Sequence, residues 1–106
     1  MRILFDQGVP VPLRRFLHPM AVDTAAEKDW SRLTNGTLIE SAERDGYDTL
    51  ITTDQNLRYQ QNLKHRKIVI VVLKTTSWPR IRNSVEKVVA GLNQIPSGGF
   101  AEIDFP

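Results

Sequence analysis

The sequence predicts an α/β fold, a three-layer α/β/α sandwich built on a mostly parallel sheet. Short apolar runs alternate with helical patterns in the order β-α-β-α-β-α-β-α, with a closing strand after them, and this alternation is typical of parallel sheets with crossover helices. The run over residues 68–73 has no polar side chain at either parity, as expected for a strand covered by helices on both faces. At 106 residues the chain fits one domain over residues 1–106, because two would each be too small to bury a useful core.

Five segments of the chain are predicted strands. Residues 2–5 and 49–52 are short β-branched or apolar runs, and a turn that contains an aspartate follows each of them. Residues 20–22 can form a second short strand, and residues 68–73 form the most buried one. Residues 100–105 alternate between apolar and polar side chains, which predicts a closing strand at the edge of the sheet.

Helices are predicted between these strands. The first opens at residues 9–12, with its prolines in the first turn, and ends at residues 18–19. Its apolar side chains are Leu13, Phe16 and Leu17. The second helix follows an ambiguous segment over residues 23–33, and either Thr34 or Asn35 is its N-cap. A polar helix is predicted over residues 55–63, and a last helix runs from Pro79 to the break at residues 96–99 with the stripe Ile81, Val85, Val88, Val89 and Leu92.

Composition excludes several classes of protein. The chain has no cysteine, which rules out disulfides, zinc–thiolate sites and iron–sulfur clusters. Its longest apolar run has six residues, whereas a membrane-spanning helix needs about 20, so no membrane association is expected. The first strand begins at residue 2 without a signal-peptide pattern, which predicts a cytoplasmic protein.

The charge is unevenly distributed along the chain. Residues 55–85 carry seven basic side chains and no acidic one, although the net charge of the chain is only +2. An acid-free basic segment favours an anionic partner, because lysines and arginines on one surface bind phosphates. The alternative is that these side chains only solubilise helix faces, and composition does not decide between the two. The candidates for holding an RNA backbone are Arg58, Lys64, Arg66, Lys67 and Lys74.

Two aspartates stand where predicted strands end. Asp6 follows the first strand, Asp54 follows the third, and the hydroxyls of residues 75–77 follow the fourth. Ligands of an open parallel sheet bind beyond the carboxyl ends of its strands, and carboxylate oxygens are ligands that Mg²⁺ and Mn²⁺ prefer. If these strands are near neighbours, the side chains can form a metal site. The structural alternative is that Asp54 caps the following helix and Asp6 forms an Asx turn.

The histidines and tryptophans show no spacing that points to catalysis. His18 is interpreted as a helix terminator and His65 as part of the basic loop, while Trp30 and Trp78 are interpreted as packing residues rather than base-stacking ones. The six glycines fit neither a dinucleotide-binding nor a P-loop spacing. The two aspartates are therefore the candidate catalytic and metal-binding residues.

A family resemblance rests on the segments around these two aspartates. Residues 3–6 (Ile-Leu-Phe-Asp) followed by Val9-Pro10, and residues 46–57 (Gly-Tyr-Asp-Thr-Leu-Ile-Thr-Thr-Asp-Gln-Asn-Leu), resemble the small PIN-like domain proteins of bacteria. These proteins are similar to the toxin nucleases of VapC-type toxin–antitoxin pairs. Trp30, residues 35–36 and residues 59–63 also fit one branch of the family, so the resemblance covers nearly the whole chain. It implies a PIN-like α/β/α sandwich and RNA cleavage by a carboxylate cluster that depends on Mg²⁺ or Mn²⁺.

The resemblance also implies a set of site residues. Asp6 corresponds to the first acidic ligand and Asp54 to the acid after the third strand. The family has further acids where this chain has Asn35 and Asn56. An asparagine carbonyl can bind a metal but adds no negative charge, so the ion would be held more weakly. Glu40 is the nearest replacement acid, more than one turn into the helix.

Three functions follow from these observations. The first is a metal-dependent endoribonuclease, in which Asp6 and Asp54 bind Mg²⁺ or Mn²⁺ with help from Asn35 and Asn56. Such an enzyme could be the toxin partner of a small antitoxin protein, and a homodimer is left open. The second is a PIN-like module that has lost catalysis and binds RNA or a partner protein, which the two asparagines favour. The third is a receiver-type signalling domain, which would lack the expected paired acids and a lysine.

Overall fold

A five-stranded sheet runs through the computed structural model, which describes residues 1–57, 63 and 66–106. The strands are β1 (Arg2–Phe5), β2 (Ala21–Thr24), β3 (Thr49–Thr52), β4 (Val69–Leu73) and β5 (Phe100–Ile103). They lie in the order β2-β1-β3-β4-β5, and every neighbouring pair is parallel. All five predicted strands are confirmed, with β2, β4 and β5 shifted or shortened by one or two residues. The sheet is wholly parallel, where the sequence predicted it to be mostly so.

The register of the strands aligns their carboxyl ends at one edge of the sheet. Phe5 pairs with Thr24 on one side and with Ile51 on the other, and Ile51 pairs with Val71. The backbone N–H of Asp6 continues this ladder by donating to the carbonyl oxygen of Ile51 over 2.9 Å. The residues that follow β1 and β3 therefore leave the sheet side by side.

β4 is buried on both faces, as predicted. Val71 and Leu73 belong to one core cluster, Ile70 and Val72 belong to another on the opposite face, and all four side chains are at most 1% exposed. Because β4 lies between β3 and β5 and helices cover both faces, none of these four positions is available to a polar side chain.

One face of the sheet is covered by a 3-10 helix (Val11–Leu17) and by two α-helices, which are numbered α2 (Trp78–Asn83) and α3 (Val85–Gln94). The prediction of one continuous last helix was wrong. Ser84 leaves the helical conformation with φ −135° and ψ 35°, its N–H donates to the carbonyl of Ile81, and its own carbonyl accepts from Lys87. Ser84 thus ends one helix and begins the next, a role that serine favours over the interior of a helix.

The other face is covered by α1 (Asn35–Arg44), whose buried side chains include the predicted Leu38, Ile39 and Ala42. Thr34 holds the N-cap position without a capping hydrogen bond from its side chain, and Asn35 is the first helical residue. The predicted helix over residues 55–63 falls largely outside the described residues. The helices described here are all too short or too polar to cross a membrane.

Candidate functional site at the carboxyl edge of the sheet

The strand order places a crevice between β1 and β3. From β1 the chain crosses over to β2, which lies on one side of the crevice. From β3 it crosses over to β4, which lies on the other side. In a doubly wound sheet with the order 2-1-3-4-5, this point of reversal is where ligands bind, beyond the carboxyl ends of the strands. Asp6 directly follows β1, and Asp54 lies two residues beyond β3. Both of the predicted acids therefore lie at this crevice.

Thr52, the last residue of β3, connects the two aspartates. Its hydroxyl is fully buried, donates to Oδ2 of Asp6 over 2.8 Å, and accepts from the backbone N–H of Asp54 over 3.1 Å. This hydroxyl group joins Thr52 to Asp6, which lies 46 positions away in the sequence. Thr52 was not among the predicted site residues, although a polar residue that ends a buried strand two positions before an aspartate is a sequence signal for such a role.

Asn35 is also part of this cluster. Its side-chain amide nitrogen donates to Oδ2 of Asp54 over 2.6 Å, so the start of α1 lies at the same edge of the sheet. Asn35 was one of two predicted N-caps, but Thr34 holds that position and the Asn35 side chain binds the carboxylate instead. The structure therefore brings Asp6, Asp54 and Asn35 together around Thr52.

Both aspartates also make the local contacts that the structural alternative predicts. Oδ1 of Asp54 accepts from the backbone N–H of Asn56 over 3.0 Å, and Oδ1 of Asp6 accepts from the backbone N–H of Gln7 over 2.7 Å. In each carboxylate, one oxygen accepts a hydrogen bond from a backbone N–H of the same turn. The other oxygen accepts one from a side chain of a different element. Asn56 contributes its backbone N–H to this arrangement, and its side chain is exposed.

The loops after β1 and β3 are in close contact. A Cβ atom on Gly8 would lie 2.2 Å from the hydroxyl oxygen of Thr53, which is closer than atoms can approach. Glycine at this position therefore lets the turn after Asp6 rest against the turn that carries Asp54. The two loops that carry the aspartates are therefore in contact with each other.

The side-chain oxygens at this edge, from two carboxylates and one amide, are of the types that Mg²⁺ and Mn²⁺ accept as ligands. Each carboxylate oxygen accepts one hydrogen bond and retains further lone-pair positions, and no lysine or arginine of the described residues forms an ion pair with Asp6 or Asp54. Two carboxylates with waters and substrate phosphate are a usual Mg²⁺ set. Within the described chain there is no group of three or more acidic or histidine side chains arranged for a metal, so the charge available here is that of two aspartates.

The predicted basic residues do not all lie at this edge. Lys74 follows β4 at the carboxyl edge and is exposed, whereas Arg66 and Lys67 precede β4 at the opposite, amino edge. Five residues of strand, about 16 Å, separate these two ends. Arg58 and Lys64 lie outside the described residues. Of the described basic candidates, the structure places only Lys74 on the edge that carries the aspartates.

Arg66 has a structural partner at the amino edge. Glu43 of α1 accepts from the Arg66 guanidinium over 2.7 Å and from the backbone N–H groups of Lys67 and Ile68 over 3.0 and 3.3 Å. Burial raises the pKa of Glu43, but the hydrogen bonds from Arg66 and the two backbone groups outweigh it and leave the pKa below its usual value. Arg66 therefore ties the start of β4 to α1.

The hydroxyls after β4 serve their own turn. Thr75 Oγ1 accepts from the backbone N–H of Ser77, and Ser77 Oγ accepts from the backbone N–H of Arg80 as the N-cap of α2. These hydroxyls were predicted to lie with the aspartates. In the structure, Thr75 stabilises the turn after β4 and Ser77 caps α2 instead.

The candidate site thus consists of Asp6, Asp54 and Asn35 joined through Thr52, with Asn56 beside them. Its position at the point of strand reversal agrees with the general rule for ligand sites in parallel sheets. Comparison of the chain with protein-family models, with curated proteins and with solved structures finds no match.

Proposed function

We propose that this protein is a metal-dependent endoribonuclease of the PIN-like type. The observation that carries the proposal is the pair of carboxylates, Asp6 and Asp54, at the crevice between β1 and β3 with a buried hydroxyl bonded to both residues. Each carboxylate keeps lone pairs directed away from its present partners. A site of this kind can hold a divalent cation next to a bound phosphate.

The residues of the cluster divide into ligands and positioning residues. Asp6 and Asp54 would hold Mg²⁺ or Mn²⁺, and the side-chain oxygens of Asn35 and Asn56 would add neutral ligands. The ion would supply an activated water and would offset the charge that develops on the scissile phosphate. Thr52 orients the carboxylate of Asp6, and the Asn35 amide orients that of Asp54 through the bonds already described.

The RNA backbone would approach the carboxyl edge of the sheet. Among the basic residues predicted to bind RNA, Lys74 is the described one at that edge, and Arg58 and Lys64 belong to the same proposed set. Arg66 and Lys67 lie at the opposite edge, so they would contact RNA only outside the cleavage site. The resemblance to toxin nucleases further suggests a cytoplasmic toxin whose partner is a small antitoxin protein, and a homodimer is compatible with it.

A binding module without catalysis is the alternative within the same fold. Asn35 and Asn56 favour it, because each stands where the resemblance implies a further acid and neither adds negative charge for a metal. Such a module would bind RNA or a partner protein at the same edge. Metal-dependent cleavage separates the two functions.

The decisive experiment is cleavage of end-labelled RNA by the purified protein with Mn²⁺, with Mg²⁺ and with EDTA. We expect weak cleavage that prefers Mn²⁺ and that Asp54→Asn reduces at least tenfold, while asparagine retains the local turn at that position. Asp29→Asn is the charge-matched control, since Asp29 is exposed and has φ 62°, a conformation that asparagine adopts readily. Wild-type protein that binds RNA but never cleaves it would establish the binding module instead.

A receiver-type signalling domain is a second candidate, which the strand order favours. The order 2-1-3-4-5 occurs in doubly wound signalling domains, and here an aspartate follows both β1 and β3. Against it, Gln7 stands where a paired acid is expected, and Asp104 rather than a lysine follows β5. Incubation with acetyl phosphate and Mg²⁺, followed by mass spectrometry of Asp54, tests this candidate. A stable phosphoryl adduct on Asp54 would favour signalling over RNA cleavage.

A further inference from the structure

A groove of about 420 Å³ lies between the 3-10 helix and α2, on the outer side of the helical layer. Its lining residues are Pro12, Arg15, Phe16, Trp78 and Arg82. Each wall contributes one aromatic ring and one guanidinium group. The volume is within the range of sites that hold a small organic ligand.

The spacing of residues on the two helices explains how the walls form. Arg15 lies three residues after Pro12, which is one turn of the 3-10 helix, so these two share one side of it, and Phe16 is the next residue. Trp78 and Arg82 are four residues apart on α2 and also share one face. The rings of Phe16 and Trp78 meet with their centroids 5.7 Å apart and their planes tilted by 51°.

The aromatic pair is accessible from solvent. Phe16 was predicted with the apolar side chains of the first helix, but it is 41% exposed, whereas Leu13 and Leu17 of the same helix are fully buried. Trp78 packs against the core, as predicted from the sequence, and also contributes to the groove. Aromatic rings whose only role is packing are usually covered, whereas these two rings are open to solvent beside two arginines.

The charge around the groove is positive. Residues 7–22 and 74–85, which include all of its walls, contain five basic side chains and no acidic one. Arg14 is paired with Glu27 at 2.8 Å. Arg80 donates to the backbone oxygens of residues 105 and 106.

The two arginines of the groove itself have no such partners. The side chains of Arg15 and Arg82 form no hydrogen bond and no ion pair with any residue in the described part of the chain. Glu86, the acid that follows next in the chain, forms no ion pair with Arg82. Two guanidinium groups beside exposed rings therefore remain available to an anionic ligand.

The chemistry of the groove matches a single-stranded nucleic acid more closely than a peptide. A docked amphipathic helix needs several apolar anchors along its length, whereas among the described residues the exposed large apolar side chains are Val11 and Phe16, with Met1 at the amino end of β1. Stacked bases need only one or two rings with cations nearby for the phosphates.

We infer that this groove binds one or two nucleotides of single-stranded RNA, with a base against Phe16 and Trp78 and phosphates on Arg15 and Arg82. The inference rests on the proposed function for the identity of the polymer, and it adds a second contact outside the cleavage site. Both walls begin at loops that leave the carboxyl edge. The segment between β4 and Trp78 has four residues, which span at most about 14 Å. One RNA strand could therefore contact the groove and the Asp6–Asp54 site together.

Tryptophan fluorescence tests the inference without cleavage. In a Trp30→Phe background, the emission of Trp78 is recorded while an unstructured RNA oligomer of about ten nucleotides is added in EDTA. We expect saturable quenching, and we expect Phe16→Ala and Arg82→Ala each to weaken binding five- to tenfold. Arg44→Ala is the matched control, because Arg44 is an exposed arginine in the last turn of α1, away from the carboxyl edge. It should weaken binding no more than twofold.

The outcomes separate this inference from the proposed function. Equal losses for Arg44→Ala and Arg82→Ala would show diffuse electrostatic binding and would overturn the groove. Quenching by a glutamate-rich peptide but not by RNA would assign the groove to a protein partner and overturn it as well. Cleavage that proceeds normally with Phe16→Ala and Arg82→Ala, together with unchanged RNA affinity, refutes the groove alone. Groove binding without any Mn²⁺-dependent cleavage refutes the nuclease and leaves the groove in place.

Discussion

Replacing Thr52 with valine is the sharpest test of the candidate site. Valine has nearly the shape of threonine, so the change removes a hydroxyl from a fully buried position without opening a cavity. Asp6 loses a hydrogen bond to its charged carboxylate, and the backbone N–H of Asp54 loses its acceptor. A hydrogen bond to a charged group contributes about 1.5–3 kcal/mol, and an unsatisfied donor adds to that loss.

The expected loss of stability is moderate because both aspartates are half-exposed. Water can replace part of what the hydroxyl supplied to Asp6, so we expect the free energy of unfolding to fall by about 2–3 kcal/mol. This is measurable against a total of about 5–15 kcal/mol for a domain of this kind. Urea denaturation followed by circular dichroism gives the value, with the slope unchanged if only the folded state is affected.

A matched control lies on the same strand. Thr49 is also buried, and its hydroxyl donates to Oδ1 of Asp48 over 2.9 Å at the amino edge of the sheet. Thr49→Val should cost about 1 kcal/mol, because it removes one hydrogen bond to an exposed carboxylate. It should leave Mn²⁺ affinity unchanged, whereas Thr52→Val should weaken Mn²⁺ binding several-fold. Thr52→Ser, which keeps the hydroxyl, should restore that binding.

Two results would contradict the role assigned to the Thr52 hydroxyl. If Thr52→Val changes stability by less than about 0.5 kcal/mol, the hydroxyl does not carry the two bonds assigned to it. If Thr49→Val and Thr52→Val have the same effect on Mn²⁺ affinity measured by calorimetry, Thr52 has only a structural role. Either result would remove the argument that the carboxyl edge is organised for a cation.

Three further predictions concern the core and the titrating groups. Val71→Asp should unfold the protein at neutral pH, because an unpaired carboxylate in β4, which is covered on both faces, costs several kcal/mol. A variant that circular dichroism shows to be folded would contradict the assignment of β4. Burial and the Asp23 carboxylate raise the pKa of Tyr47 to about 12, so stability should fall by up to about 2–3 kcal/mol between about pH 10 and pH 12. Tyr47→Phe should remove this alkaline loss from urea midpoints. The pKa of Glu43 is lowered in the folded state, so its contribution is present above its unfolded value of 4.5 and is lost as the pH falls through the folded value. Glu43→Gln should therefore flatten the acid limb of stability against pH, and an unchanged acid limb would show that Arg66 and the start of β4 do not depend on this carboxylate.

The sequence by itself determined the elements and the candidate acids. The bounds of β1 and β3 agree with the prediction because their residues are apolar or β-branched and a turn residue follows each strand. The burial of β4 could be predicted because a run without polar side chains fits only a strand covered on both faces. Asp6 and Asp54 could be selected because polar residues at the ends of parallel strands converge on one edge.

The tertiary structure decided which groups meet. The bond between Thr52 and Asp6 joins residues 46 positions apart, and it exists because β1 and β3 are neighbours. The same long-range placement directs the Asn35 side chain to Asp54 and separates Arg66 from the site by the length of β4. Local patterns report which side chains are buried and how each element begins and ends, since those depend on neighbours within a few residues. The order of strands depends on how all the elements pack around one core. For that reason the partners of Asp6 and Asp54, and the open groove beside Phe16, became visible only in three dimensions.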